Sequence, residues 1–91
     1  MPGRPTAQEI ATAIEAFIRD VGAVSPDDTL FDRDIDLYDT GYVDSLCTVA
    51  LTAFLQETFR LTLSEDDLFD PDHSTINGLT RLVTHRRAAG S

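Results

Sequence analysis

The chain has a single cysteine, Cys47, which leaves no partner for an internal disulfide and no basis for a cysteine zinc site. Lysine is absent. Its seven basic residues, all arginine, face sixteen acids, for a net charge of −9. Such a field repels a phosphate backbone and an anionic bilayer, so nucleic acid and membrane surfaces are excluded as partners and basic protein surfaces are favoured. No apolar run approaches the ~18 residues of a membrane span. The opening MPGRPTAQEI has no apolar signal core, and a cytoplasmic location is expected. Internal repeats and low-complexity tracts are also missing.

Ninety-one residues make one domain, and 42% hydrophobic residues suffice for a small core. So thin a domain cannot wall in a deep active site, which counts against a self-contained enzyme. Met1 to Pro5, with two prolines and a glycine, reads as a loose lead-in. Thr6 with Glu9 makes a capping box. Ile10, Ile14, Phe17, Ile18 and Val21 then share one helical face until Gly22 and Pro26 intervene, giving a first helix from about Ala7 to Val21.

Ser25 to Asp44 carries seven acids (Asp27, Asp28, Asp32, Asp34, Asp36, Asp39, Asp44) against Arg33 alone. Leu30, Phe31, Ile35, Leu37 and Tyr38 punctuate it, which a solvated linker would not need. The expectation is a long loop pinned to the core by these residues, with room for one short turn of helix. Gly41 suggests a positive φ just before the next element. Ser45 to Phe59, free of proline and glycine, forms the second helix. Ser64 and Asp67 open a short third helix that Pro71 ends. Ser74 or Thr75 caps a fourth, with Ile76, Leu79, Leu82 and Val83 on one face and Arg81, Arg86 and Arg87 toward its end. No stretch alternates as a strand does. The fold class is all-α: four helices, one short, and one long loop, with a domain over residues 6–85 and a loose tail over 86–91.

The second helix has two apolar faces. Leu51, Phe54, Leu55, Thr58 and Phe59 fall within about 140° of one another, a core face. Leu46, Val49, Ala50 and Ala53 fall opposite, with Glu57. Either neighbours cover both sides, or the second stripe is a docking surface. With only three other helices, docking is favoured. Ser45 stands at the start of that stripe. A serine there most often caps the helix. It is a poor hydrolase nucleophile, because Val43-Asp44-Ser45-Leu46-Cys47 lacks the Gly-x-Ser-x-Gly elbow and His73 and His85 read as surface residues. A helix N-terminus does stabilise an attached phosphate, so an exposed serine before an apolar stripe suits a phosphodiester modification.

Asp39-Thr40-Gly41-Tyr42-Val43-Asp44-Ser45-Leu46 resembles the phosphopantetheine-attachment motif of the acyl carrier and peptidyl carrier protein family. There, too, a glycine lies four residues before an Asp-Ser-Leu triplet, with an apolar residue directly before the aspartate. The resemblance extends from about Thr6 to Val83 and implies a four-helix bundle of the acyl-carrier type. It implies 4′-phosphopantetheine, drawn from coenzyme A, on Ser45, with cargo held as a thioester. It also implies that Asp44 serves recognition by a phosphopantetheinyl transferase, and that Leu46, Val49, Ala50, Ala53 and Glu57 face partners. Those partners would be a loading enzyme (an acyltransferase or adenylating ligase) and downstream condensing or tailoring enzymes. A monomeric carrier without catalytic activity of its own is expected.

Glu57 is the only acid on helix two, a departure from fatty-acid carriers. This places the chain nearer stand-alone aminoacyl, D-alanyl or methoxymalonyl carriers of polyketide or non-ribosomal peptide biosynthesis. His73 stands where many such carriers have an aromatic residue. Thr48 and Thr52 have little bulk and leave room at the core edge. Cys47 reads as a half-buried filler, with a reactive thiol as the alternative. Asp32-x-Asp34-x-Asp36 fails as a calcium loop, since Leu37 stands where glycine is needed and Val43 where a glutamate is needed, so no metal is expected. An acidic adaptor without a prosthetic group, in which Ser45 only caps, is the rival function.

Overall fold

The computed structural model describes residues 5–22 and 24–90. α1 spans Ala7–Val21, α2 Ser45–Phe59, α3 Glu65–Phe69 and α4 Ile76–Gly90, with a 3-10 turn at Pro71–His73 and no strand among the described residues. The all-helical class and four-helix count agree with the sequence reading. Residues 1–4 of the expected lead-in lie outside the described set.

Local chemistry fixes the helix starts. Thr6 Oγ1 accepts from the Glu9 N–H at 3.1 Å while the Glu9 carboxylate accepts from the Thr6 N–H at 2.9 Å, satisfying two otherwise unpaired donors. In α3 the Asp67 carboxylate takes the Ser64 N–H at 2.9 Å. Of the two candidate caps of α4, Thr75 does the work, accepting the Gly78 N–H at 2.9 Å. α2 stops at Arg60, whose φ of 57° is left-handed, and the Arg87 guanidinium donates to the Phe59 carbonyl at 2.7 Å.

α1 packs chiefly on α4, with α2 against both and α3 bridging α2 to the 3-10 turn. Ile10, Ile14 and Ile18 of α1, Leu51, Leu55 and Phe59 of α2, Leu68 of α3, and Ile76, Leu79 and Val83 of α4 form one buried cluster. Phe54 stacks on Phe17 with ring centroids 4.3 Å apart. Thr58, expected on the core face, is exposed.

The loop between α1 and α2 is pinned as expected at Phe31 and Leu37, both buried, and at half-buried Ile35 and Tyr38. Leu30 is the exception at 72% exposure. Hydrogen-bonded turns occupy residues 37–41, but no helix forms there. Main-chain bonds from Leu37 to Ser74 (2.8 Å) and from Asn77 to Arg33 (3.0 Å) lash the loop to the head of α4. The Arg33 side chain reaches Glu15, Gln8 and Thr12 of α1 at 3.0, 3.0 and 3.2 Å.

α4 continues to Gly90, past the boundary read at residue 85, and its last turns are tied down. Arg86 pairs with Asp67 at 2.8 Å and reaches the Thr62 carbonyl at 3.2 Å, beside the Arg87 contact above. The Arg86 bond holds the Asp67 carboxyl below the usual aspartate range, and the Arg33 bond does the same for Glu15. Depressed carboxyl values stabilise the fold above the unfolded-state values, and that contribution is lost as pH falls through the folded ones. The urea midpoint should therefore hold near pH 7 and drop below about pH 4. Arg86→Gln should flatten part of that drop, and equal acid dependence in both proteins would remove Asp67 from the account.

Candidate functional site

Ser45 is the first residue of α2, and the chain leading to it is fixed residue by residue. Gly41 has φ 82°, as its position suggested, and turns the chain back toward the bundle. Tyr42 donates to the Asp28 carboxylate at 2.6 Å and meets the Phe31 ring edge-on at 4.9 Å between centroids. Val43 is buried, and its N–H donates to the Leu37 carbonyl at 3.0 Å. With Val43 plugged into the core, the next two residues must emerge from it, and Asp44 and Ser45 are both exposed.

The capping role belongs to Asp44 and not to Ser45. Asp44 has extended backbone, φ −119° and ψ −173°, and its carboxylate accepts the Cys47 N–H at 2.9 Å. That bond holds the Asp44 carboxyl below the usual aspartate range. The reading of Ser45 as a cap is corrected by one position: an N-cap must be extended, and Ser45 already has helical backbone. Among the described residues, no hydrogen bond uses the Ser45 hydroxyl.

Leu46 is 81% exposed and Val49 52%, and Ala50, Ala53 and Glu57 are exposed with them. The stripe opposite the core face is thus left uncovered by the described residues. Cys47 is half-buried against the core, as a filler would be. Thr48 and Thr52, expected to leave room, are packed inside; each hydroxyl donates to the carbonyl four residues back, at 2.9 and 2.7 Å. That local bond lets threonine be buried without an orphaned donor.

His73 departs from the surface role read for it: it is half-buried, and its Nδ1 lies 2.6 Å from the Asp67 carbonyl. His85 is exposed. Among the described residues no three His, Cys, Asp or Glu side chains gather as a metal site. The loop aspartates are spent on turns: Asp32 accepts from the Asp34 N–H, and Asp36 from those of Tyr38 and Asp39, at 2.8, 3.0 and 2.9 Å. No described helix is long and apolar enough to cross a membrane.

The family model described as phosphopantetheine attachment site matches residues 7–83, from the first residue of α1 to the last buried residue of α4's core face. Neither the curated proteins nor the solved structures contain a match. With that match over most of its length, the chain belongs to the phosphopantetheine attachment-site family: it is a carrier protein that bears covalent 4′-phosphopantetheine and holds acyl cargo on it, modified by a phosphopantetheinyl transferase and visited by partner enzymes.

Proposed function

We propose that Ser45 is the attachment residue and that the carrier serves specialised biosynthesis of the polyketide or non-ribosomal peptide type, with aminoacyl, D-alanyl or methoxymalonyl-like cargo. The supporting observation is the exposed Ser45 hydroxyl, unbonded, at the head of a helix that carries an uncovered apolar stripe.

The residues fit the group. A substituent on Ser45 Oγ displaces no hydrogen bond and meets solvent instead of core. Electrostatics offers less than the bare helix end suggests, because Asp44 already uses the Cys47 N–H there. The site is exposed, however, and two like unit charges as close as ~4 Å repel by only about 1 kcal/mol in water, so a phosphodiester beside Asp44 is tolerated. When attached, the group supplies the terminal thiol that carries cargo as a thioester. The protein supplies presentation and recognition.

Recognition divides between two chemistries. Leu46, Val49, Ala50 and Ala53 offer apolar area, while Asp44 and Glu57 offer negative charge to a basic partner surface. With no other acid on α2, docking on this helix leans on apolar contact. That balance underlies the assignment to specialised metabolism rather than to fatty-acid synthesis. Loading by an acyltransferase or adenylating ligase, and unloading by condensing or tailoring enzymes, would use this surface.

Incubation with coenzyme A and a broad-specificity phosphopantetheinyl transferase should add the mass of one phosphopantetheine group. Tandem mass spectrometry should place it on Ser45. Placement on another hydroxyl residue would overturn the assignment.

A further inference from the structure

Behind exposed Ser45, hydroxyl groups run inward. Thr48 Oγ1 is 2.9 Å from the Asp44 carbonyl and 2.9 Å from the Tyr38 hydroxyl. Two carbonyls compete for the two hydroxyl protons, that of Asp44 at 2.9 Å from Thr48 and that of Leu68 at 3.3 Å from the phenol. The shorter pairing gives the Thr48 proton to Asp44 and leaves Tyr38 to donate to Thr48, so the relay runs from Tyr38 through Thr48 to the Asp44 carbonyl. The phenol also lies 3.3 Å from the Leu68 carbonyl, sharing its proton with α3, and its ring stands 5.9 Å from that of Phe69. Burial raises the phenol above the ordinary tyrosine range and keeps it a donor. Tyr38 is therefore one point at which the loop, α2 and α3 are joined. The end that receives the relay is the peptide unit linking Asp44 to Ser45.

We infer that Tyr38 is a positioning residue for the modification of Ser45: through Thr48 it holds the Asp44–Ser45 peptide in the orientation that turns the serine hydroxyl outward. This rests on Ser45 being the attachment residue. First turns of helices fray, and an enzyme that needs the turn formed binds with an apparent affinity multiplied by the fraction of time the turn is formed. Once the turn has formed, the bound complex is the same as in the wild type, so loss of the relay should appear in KM and not in kcat.

Tyr38→Phe keeps the ring and removes the relay. Thr48→Val removes the same link from the other side. Thr80→Val is the control, because Thr80 is a buried threonine on α4 whose hydroxyl makes the same kind of bond, to the Ile76 carbonyl at 2.8 Å. Amide hydrogen exchange at Cys47 and Thr48 in the unmodified protein should quicken about three- to tenfold in Tyr38→Phe and Thr48→Val, the worth of one net hydrogen bond. Transferase kinetics with coenzyme A should show KM for the carrier raised by the matching loss of formed turn, at most that factor, with kcat unchanged. The double variant should be no worse than Thr48→Val alone. Thr80→Val should leave KM and exchange at those amides as in wild type.

Unchanged KM and exchange in Tyr38→Phe, or an equal rise of KM in Thr80→Val, would overturn the inference. Wild-type protein that takes no group on Ser45 would overturn the attachment reading and this role with it. The exchange data distinguish the two failures, since they report the relay with no modification involved.

Discussion

Ser45→Ala should take up no phosphopantetheine under conditions that convert the wild type fully, and yet should melt within about 3 °C of it. The two halves of this expectation have separate physical grounds. Loss of modification follows from removing the hydroxyl proposed as nucleophile; no neighbouring group can replace it, because Thr48, the nearest hydroxyl residue along α2, is fully buried. Retained stability follows from the cap belonging to Asp44. Among the described residues the Ser45 hydroxyl has no hydrogen-bond partner, and alanine is the best helix former, so a surface change of this kind should stay within about 0.5 kcal/mol. Asp44→Ala should behave in the opposite way. It removes the acceptor of the Cys47 N–H and should cost about 1 kcal/mol of stability. Asp44→Asn separates the two roles of that residue, since asparagine caps about as well but carries no charge. A stable Asp44→Asn protein that is modified slowly would assign Asp44 to recognition. Normal modification of Asp44→Asn would leave it a cap. Intact mass and thermal melting, read side by side on these variants, check every part.

How far the sequence foretold this arrangement depends on how local each cause is. The limits of α1 and α2 were legible, because capping residues and 3.6-residue periodicity lie within a few positions of the boundaries they set. The position of Ser45 at the head of α2, and the uncovered stripe from Leu46 to Ala53, followed from the same pattern. Choosing between Asp44 and Ser45 as cap did not, since both residue types cap well and only the backbone angles decide. The loop aspartates could be read as charge, but their work in closing turns depends on which N–H each carboxylate meets. Thr48 and Thr52 were read as leaving room because of their little bulk, which says nothing of the bond to the carbonyl four residues back that lets each be packed inside. The tyrosine that joins loop, α2 and α3 looked like one apolar anchor among five. Arg86 and Arg87 were read toward the end of α4 and their contribution only as charge on its dipole; their partners Asp67, Thr62 and Phe59 lie far along the chain and are set by the fold. Leu30, finally, was grouped with the anchors by its hydrophobicity alone.

Gly78→Ala should lower the melting temperature by about 10 °C, against the usual sign for replacing a glycine inside a helix. Ordinarily alanine gains up to about 1 kcal/mol there, by reducing the freedom of the unfolded chain. Gly78, however, is buried on the side of α4 that meets the 3-10 turn. A Cβ at this position would drive into the Asp72 carbonyl oxygen, and would lie 3.2 Å from both the Asp72 carbonyl carbon and His73 Cα. All three are main-chain atoms, and no rotamer change relieves them. Nor can the turn retreat freely. Its His73 N–H is bonded to Asp70 at 2.8 Å, the His73 ring is bonded to the Asp67 carbonyl, and the Ser74 carbonyl accepts the Leu37 N–H at 2.8 Å. Moving it would strain α3 and the loop that leads to Ser45. Overpacking of this kind costs about 1–3 kcal/mol, and main-chain obstruction puts it at the upper end, so the net loss is about 2 kcal/mol. Gly41→Ala offers the comparison, because open space surrounds that position and only its φ of 82° opposes a side chain. It should lose about 1 kcal/mol from backbone strain alone. Thermal melting of the two variants checks the ranking. A Gly78→Ala protein that melts at or above the wild-type temperature would show that the 3-10 turn yields, and would remove close packing as the reason for a glycine inside α4.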